Sequence, residues 1–374
     1  MDVNSIKKIL DKMYRHAETS LEKRFLRGKK ILDCIDSICI KQHACTRLLM
    51  ACLLGKIDNP SVDPRKPYTK IKTDDCFSGR RYDEDCLTDF VSKHDLPCNS
   101  TTAFLTPVFR VINQPLSLDL VLEGKDKSVI YSTLQLLDEV ANGRIDAKLL
   151  LTEVIRTLIV MRNESKARLE SLLQSCRQNA NDFPLSSNDI VNLIRRHLQC
   201  KYVSRLPVLI VAAAYKVAES KLGEKILPLH SHTAADKQTG ALGDIEICLE
   251  GDDQVVTVYE MKLKAVSITD IDLALGKIAS NNSRIHNYIF ISTDKIDDTV
   301  AEYAASSYQK TGGTEIAILD CLGFLSHFLH FFHRLRRYYL DTYQELVLLE
   351  PNSSVNQTLK EAFLTLRKNA ETFD

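Results

Sequence analysis

The chain has 374 residues, 44% of them hydrophobic, with no Trp and with 49 basic and 49 acidic side chains. This is enough for a sizeable core in two or three packed regions, and the zero formal charge excludes a whole-surface attraction to nucleic acid or anionic membrane, so any such binding must come from local patches. Eleven scattered cysteines without a CxxC pair, a polar opening MDVNSIKKILDKMYRH and a longest apolar run, LPVLIVAAAYKV, too short for a bilayer predict a cytoplasmic protein with reduced thiols and no membrane contact.

In chain order, apolar residues recur at helical spacing from 1 to about 57 and predict two or more amphipathic helices. From Asp58 to Pro115 the long periods vanish and VDPRKPYTK, FSGRRYDED, LPCNSTTAF and TPVFRVINQP predict an irregular, turn-rich region, ordered because it carries Phe77, Tyr82, Phe90, Phe104 and Phe109. Helical signals return over about 128–176 and 188–200, and a largely buried helix is predicted for 206–222, ended by Gly223. DIEICL (244–249) and VVTVYEMK (255–262) read as strands around an acidic turn, TDIDLALGKIAS (269–280) as a helix, NYIFIST (287–293) as a strand, then a helix near 296–309, a strand TEIAILD (314–320) and a helical tail from Leu322. Such an order implies a mixed sheet with a hairpin and a crossover helix. The chain then divides into a helical and loop-rich region 1–185, an α/β core 186–321 and a helical segment 322–374.

The stretch GDIEICLEGDDQVVTVYEMKLK (243–264) carries carboxylates where strands ordinarily carry apolar residues. Residues two apart on a strand share a face, so Glu260 and Lys262 project together, and hairpin pairing sets Asp244 opposite that end. Two carboxylates and an ammonium on rigid strands suit a hard divalent cation such as Mg²⁺, held by Asp244 and Glu260 together with water and phosphate oxygens, with Lys262 orienting or deprotonating the attacking water. That is the apparatus of phosphodiester hydrolysis. The bland alternative is a solvent-facing hairpin whose charges only keep it soluble. His230 and His232 stand two apart, but no Cys or further His lies nearby at zinc-ligand spacing.

The motif together with its flanking elements resembles the PD-(D/E)xK nuclease core, a mixed β-sheet flanked by helices, with Gly243 where the family carries Pro. Over most of its length the chain looks like type II restriction endonucleases of the SacI kind, the hairpin most closely and DPRKPY, FSGRRYDE and LPCNSTTAFLTP beside it. The resemblance implies a Mg²⁺-dependent homodimer that cuts double-stranded DNA at a short specific site, with Asp244, Glu260 and Lys262 at the family's catalytic positions and a methyltransferase protecting the host. Lys264 is a substitute for Lys262, and Glu219, on the helix before the hairpin, is a further candidate acid. Glu246 shares the face of Asp244 by strand alternation.

Site-specific cleavage needs phosphate contacts for position and base contacts for sequence. Arg65, Lys66, Lys70, Lys72, Arg80, Arg81, Asn99, Asn113 and Gln114 in the irregular region supply the side chains that pair with phosphate, guanine or adenine, and His232, Lys237 and Thr239 precede the first acid. Each alone is more often an ordinary surface residue; their clustering carries the expectation. His330 and His333, within FLSHFLHFFHRL, read as packing or interface residues, and the stripe as a dimer surface. The competing readings are a repair or structure-selective nuclease of the same fold and a non-catalytic DNA-binding protein. Neither GxGxxG, GxxxxGK[ST] nor GxSxG is present.

Overall fold

The opening periodicity becomes three helices, α1 (Val3–Glu18), α2 (Lys29–Lys41) and α3 (His43–Asp58), in the computed structural model. The described residues are 3–41, 43–99, 101–110, 112, 114–120, 126–178, 184–229, 241–252, 254–281 and 284–372. Helix α1 is amphipathic and buries Ile6, Leu10, Met13, Tyr14 and Ala17 along one stripe. Helix α3 is not: every residue from Cys45 to Gly55 is buried, because it forms the centre of its core rather than a flank.

The region after α3 is irregular but ordered. Phe77, Phe90, Phe104 and Phe109 are buried, and short helical pieces, α4 (Gly79–Tyr82), a π-turn (Asp83–Leu87) and α5 (Thr88–Lys93), interrupt the loops. One buried carboxylate ties these pieces together: Asp83 accepts from Arg47 Nε, from Thr102 Oγ1 at 2.7 Å and from the Ala103 amide at 2.8 Å. The other Arg47 nitrogens reach the Asn99 carbonyl at 2.6 Å and Thr88 Oγ1 at 2.7 Å, so the buried charges are paired and hydrogen-bonded. Helices α6 (Lys127–Ala141) and α7 (Ala147–Gln178) follow.

The chain divides into two compact units, Met1–Ala167 and Arg168–Asp374. The second takes in the end of α7, whose Leu169, Leu172, Leu173 and Cys176 pack in its core, followed by α8 (Ser187–Leu198), opened by a Ser186–Asp189 capping box, and α9 (Leu206–Leu222), closed by Gly223 in the left-handed conformation at φ 66°. Among the described residues five strands form one sheet in the order β1 (Glu224–Ile226), β2 (Ile245–Leu249), β3 (Val255–Lys262), β4 (Asn287–Ser292) and β5 (Glu315–Asp320). The first three pair antiparallel. β3, β4 and β5 pair parallel, joined through α10 (Ile268–Ser280) and α11 (Asp298–Ser306). Strand alternation splits the core in two: Ile245, Ile247, Tyr259 and Ile291 pack with α9, whereas Val258, Tyr288, Phe290 and Ile316 pack with α10 and α11.

The tail forms α12 (Cys321–Phe331), α13 (Arg336–Leu349) and α14 (Gln357–Glu371), whose Leu325, Tyr343 and Phe363 share the core of α9. His330 and His333 are exposed, which removes the packing half of the expectation and leaves the interface half untested, and His330 Nδ1 donates to the Ser326 carbonyl at 2.7 Å within its own helix. Strand β1 was not expected, since three residues are too few to display an alternation. All eleven cysteines are free thiols, and among the described residues no helix is long and apolar enough to cross a membrane.

Candidate functional site

The hairpin register places the acids where strand geometry requires. Ile245 pairs with Tyr259 and Glu246 with Val258, and the Asp244 amide donates to the Tyr259 carbonyl at 2.9 Å. The Asp244 carboxylate then turns to the end of β3, where its Oδ2 accepts from the Met261 amide at 2.7 Å. Gly243 makes this approach feasible: a Cβ there would lie 2.5 Å from Val258 Cγ1 and 2.7 Å from the Tyr259 carbonyl oxygen.

Among the described residues three donors hold Glu260. Lys262 Nζ lies 3.4 Å from its Oε1, while Lys277 Nζ at 3.2 Å and Tyr288 Oη at 3.1 Å both reach Oε2. Lys262 also pairs with Asp270 Oδ1 at 2.9 Å and lies 6.0 Å from the Phe290 ring centroid. Asp270 is doubly employed, because its Oδ2 closes the capping box of α10 by accepting from the Ser267 amide at 2.9 Å and from Ser267 Oγ at 2.6 Å.

These contacts fix the charge states. Burial opposes the charge on Lys262, but the adjacent Asp270 and Glu260 outweigh it and raise the amine's pKa, so Lys262 is an ammonium at neutral pH. Burial likewise opposes ionisation of Asp270, yet hydrogen bonds from Ser267 and Lys262 outweigh it and hold this carboxyl below its usual range. In this arrangement Lys262 can orient a water or a phosphate oxygen but has no lone pair with which to take a proton.

Two cavities meet at Lys262 and Asp270. One, of about 500 Å³, is lined by Glu260, Lys277, Tyr288 and Phe290 as well; the other, of about 580 Å³, by Asp244, Ser204, Met261 and Lys264. The donors facing them are carboxylate oxygens without thiol or imidazole, a hard set that fits Mg²⁺ better than zinc. Among the described residues no three His, Cys, Asp or Glu side chains form a ready-made cation cage. Mg²⁺ ordinarily takes only one or two protein carboxylates and completes its shell with water and substrate phosphate, and Asp244 and Glu260 are suited to supply those.

Other expected residues fall elsewhere. Glu219 lines neither cavity; it lies in the last turn of α9, whereas Val208, which lines the Asp244 cavity, is in the first, and its Oε1 accepts from the Ile226 amide of β1 at 3.0 Å. It is a strand-anchoring residue. Glu246 Oε1 accepts from the Leu242 amide at 2.7 Å and so shapes the turn into β2. Arg65, expected to touch DNA, is spent on carboxylates: Asp63 through Nη2 at 2.8 Å and Asp138 through Nη1 at 2.9 Å. Lys66 is paired with Asp75 at 2.7 Å. Asn99 donates within its own loop to the Thr101 carbonyl at 3.0 Å, and Lys72 occupies a left-handed turn at φ 57°. Arg80 and Arg81 are exposed with one-turn partners Glu84 and Asp85, and Lys70 and Gln114 are exposed. Asn113, His230, His232, Lys237 and Thr239 lie outside the described residues.

Sequence reasoning missed Asp270, Lys277 and Tyr288. A signal existed for each: Asp270, Ala274 and Lys277 recur at helical spacing along one face of α10, and Tyr288 and Phe290 share a strand face with Glu260 once β4 is placed beside β3.

Residues 182–293 match the family model of the SacI restriction endonuclease C-terminal domain. The matched span runs from before α8 to the end of β4 and contains Asp244, Glu260, Lys262, Asp270, Lys277 and Tyr288. This segment is therefore similar to a SacI-like restriction endonuclease domain, a class of nuclease that binds DNA. No curated protein matches the chain.

Proposed function

We propose that the protein is a type II restriction endonuclease that hydrolyses phosphodiester bonds of double-stranded DNA at a short specific site, with Mg²⁺ as cofactor. The observation that carries this reading is the convergence of Asp244, Glu260 and Lys262 at one end of the β2–β3 hairpin, inside the segment that matches the SacI-type domain. The order α9, β1, β2, β3, α10, β4 supports assigning this unit to the PD-(D/E)xK nuclease core.

Asp244 and Glu260 would hold the cation. When bound, Mg²⁺ supplies Lewis-acid stabilisation of charge on the phosphate and a bound water of lowered pKa. Lys262, fixed as an ammonium by Asp270, donates from Nζ to the attacking water or to a non-bridging phosphate oxygen. Asp270 is a positioning residue, since it fixes both Lys262 and the first turn of α10. Lys70, Arg80, Arg81 and Gln114, exposed on the first unit, are the DNA-contacting candidates, with region 1–185 also supplying dimer contacts. A homodimer acting in the cytoplasm beside a cognate methyltransferase completes the proposal.

The test is incubation of the purified protein with unmethylated phage DNA in Mg²⁺ or EDTA, beside Asp244→Ala. Discrete fragments that require Mg²⁺ and vanish in the variant are expected. Cleavage indifferent to the substitution, or none across several DNAs, would overturn the assignment.

A further inference from the structure

The loop between α8 and α9 carries a residue that its own backbone does not favour. Tyr202 sits in the left-handed region at φ 64°, which bulky side chains rarely adopt, and it is 77% exposed, so burial of the ring does not offset the strain. The residues around it hold this backbone in place. The Cys200 amide donates to the His197 carbonyl at 3.2 Å and the Leu206 amide to the Val203 carbonyl at 2.9 Å. Val203 packs against the core of α9, and the buried Arg205 pairs through Nε with Glu350 Oε1 at 2.8 Å. The loop is therefore fixed from behind, with its tyrosine left to solvent.

The place of that loop gives the exposed ring a use. Ser204 lines the cavity of about 580 Å³ that also holds Asp244, Lys262 and Lys264, and Tyr202 is two Cα steps, at most about 7.6 Å, from Ser204. Leu263 on the same cavity and Leu273 on the neighbouring one are exposed as well. Phosphates call only for charge and donors, which Lys262 and Lys264 supply on the cavity and the exposed Lys201 on the loop. Exposed apolar surface beside them matches the faces of bases instead.

We propose that Tyr202 stacks on a nucleobase beside the phosphate held at Asp244 and Lys262, opening one base step of the duplex. This rests on the reading of that site as the place of DNA hydrolysis. An aromatic face stacks on any base, and a side chain wedged between base pairs partly unstacks and bends the duplex. A ring whose backbone is anchored before DNA arrives loses less conformational freedom on binding.

The experiment uses full-length wild type, Tyr202→Gly and Tyr202→Phe. Glycine adopts positive φ without strain, so Tyr202→Gly is expected to melt no lower than wild type. Initial rates of phage DNA cleavage in Mg²⁺, over a range of DNA concentrations, are expected to show kcat/KM reduced about five- to hundredfold in Tyr202→Gly and close to wild type in Tyr202→Phe. A duplex with 2-aminopurine beside the cut, whose position the fragment ends give, is expected to brighten when wild type binds it with Ca²⁺ in place of Mg²⁺, and not when Tyr202→Gly does. A Tyr202→Gly protein that cleaves like wild type, or that melts lower, overturns the stacking contact and leaves the nuclease reading standing. Equal loss of cleavage in Tyr202→Phe, or unchanged fluorescence with wild type, does the same. Absence of cleavage by the wild type itself overturns both.

Discussion

Arg65 illustrates how far a residue type is from a residue role. In VDPRKPYTK it is one of several basic side chains in a loop, suited by type to pair with guanine. In the fold it is three-quarters buried, and its guanidinium bridges Asp63 and Asp138, one beside it in the loop and the other on α6. Removing it takes charge-assisted hydrogen bonds from two partly buried carboxylates, of which Asp138 keeps Arg144 and Asn142 and Asp63 keeps the amide of residue 65, so Arg65→Ala is expected to lower the unfolding free energy by about 1–3 kcal/mol in urea titration. Arg80→Ala removes only an exposed one-turn pair with Glu84 and is expected to change stability by less than about 0.5 kcal/mol. If the two substitutions prove equally harmless, the bridging role is wrong; a gel shift at fixed salt on the same proteins tests Arg80 as a DNA contact. Asp244, Glu260 and Lys262 were legible at this scale because a strand's period of two leaves little freedom in where neighbouring side chains point. Their partners were not, since Lys277 and Tyr288 lie on elements whose placement a hairpin does not determine.

At the scale of elements, the β2–β3 hairpin and the crossover helix α10 were readable from alternation and helical spacing, whereas β1 was too short to register. Tight packing at the start of β2 has a consequence that no local pattern announces. Gly243 lies against Val258 and the backbone of Tyr259, so a methyl group cannot be added without shifting β2 relative to β3. Gly243→Ala is expected to cost about 1–3 kcal/mol through overpacking and, by displacing the adjacent Asp244, to reduce DNA cleavage by at least tenfold. A variant with wild-type stability and wild-type cleavage would show that the strand start tolerates the change. Gly55 and Gly79 play the same part in the first unit, each pressed against a phenylalanine ring, Phe77 and Phe104 respectively.

At the scale of the whole molecule, stability should depend on pH through a residue far from any proposed chemistry. His197 is fully buried; its Nε2–H donates to the Leu359 carbonyl and its Nδ1 accepts from Tyr343 Oη, both at 3.0 Å, which fits the neutral ring. Burial pulls its pKa from 6.5 down to about 4. The unfolded chain therefore binds a proton that the folded chain refuses between these values, so stability is complete above about pH 6.5 and declines as pH falls toward 4, by about 3 kcal/mol at most. The urea midpoint of the wild type should fall across that range, and His197→Gln, already weaker at pH 7, should show a flatter profile. Parallel profiles for the two proteins would exclude His197 as the source.

The sequence by itself determined the order of helices and strands from α9 to β5 apart from β1, the turn-rich character of the region after α3, and the placing of Asp244, Glu260 and Lys262 at one end of the hairpin, because these follow from local periodicity and from the pairing of adjacent strands. Tertiary structure alone decided which charges remain available. It assigned Arg65 and Lys66 to carboxylates, turned Glu219 toward β1, kept Lys262 protonated beside Asp270 and brought Lys277 onto Glu260. Coulombic and hydrogen-bond partners are selected by distance in space, and the distances that matter here join residues from separate elements, which no spacing along the chain encodes.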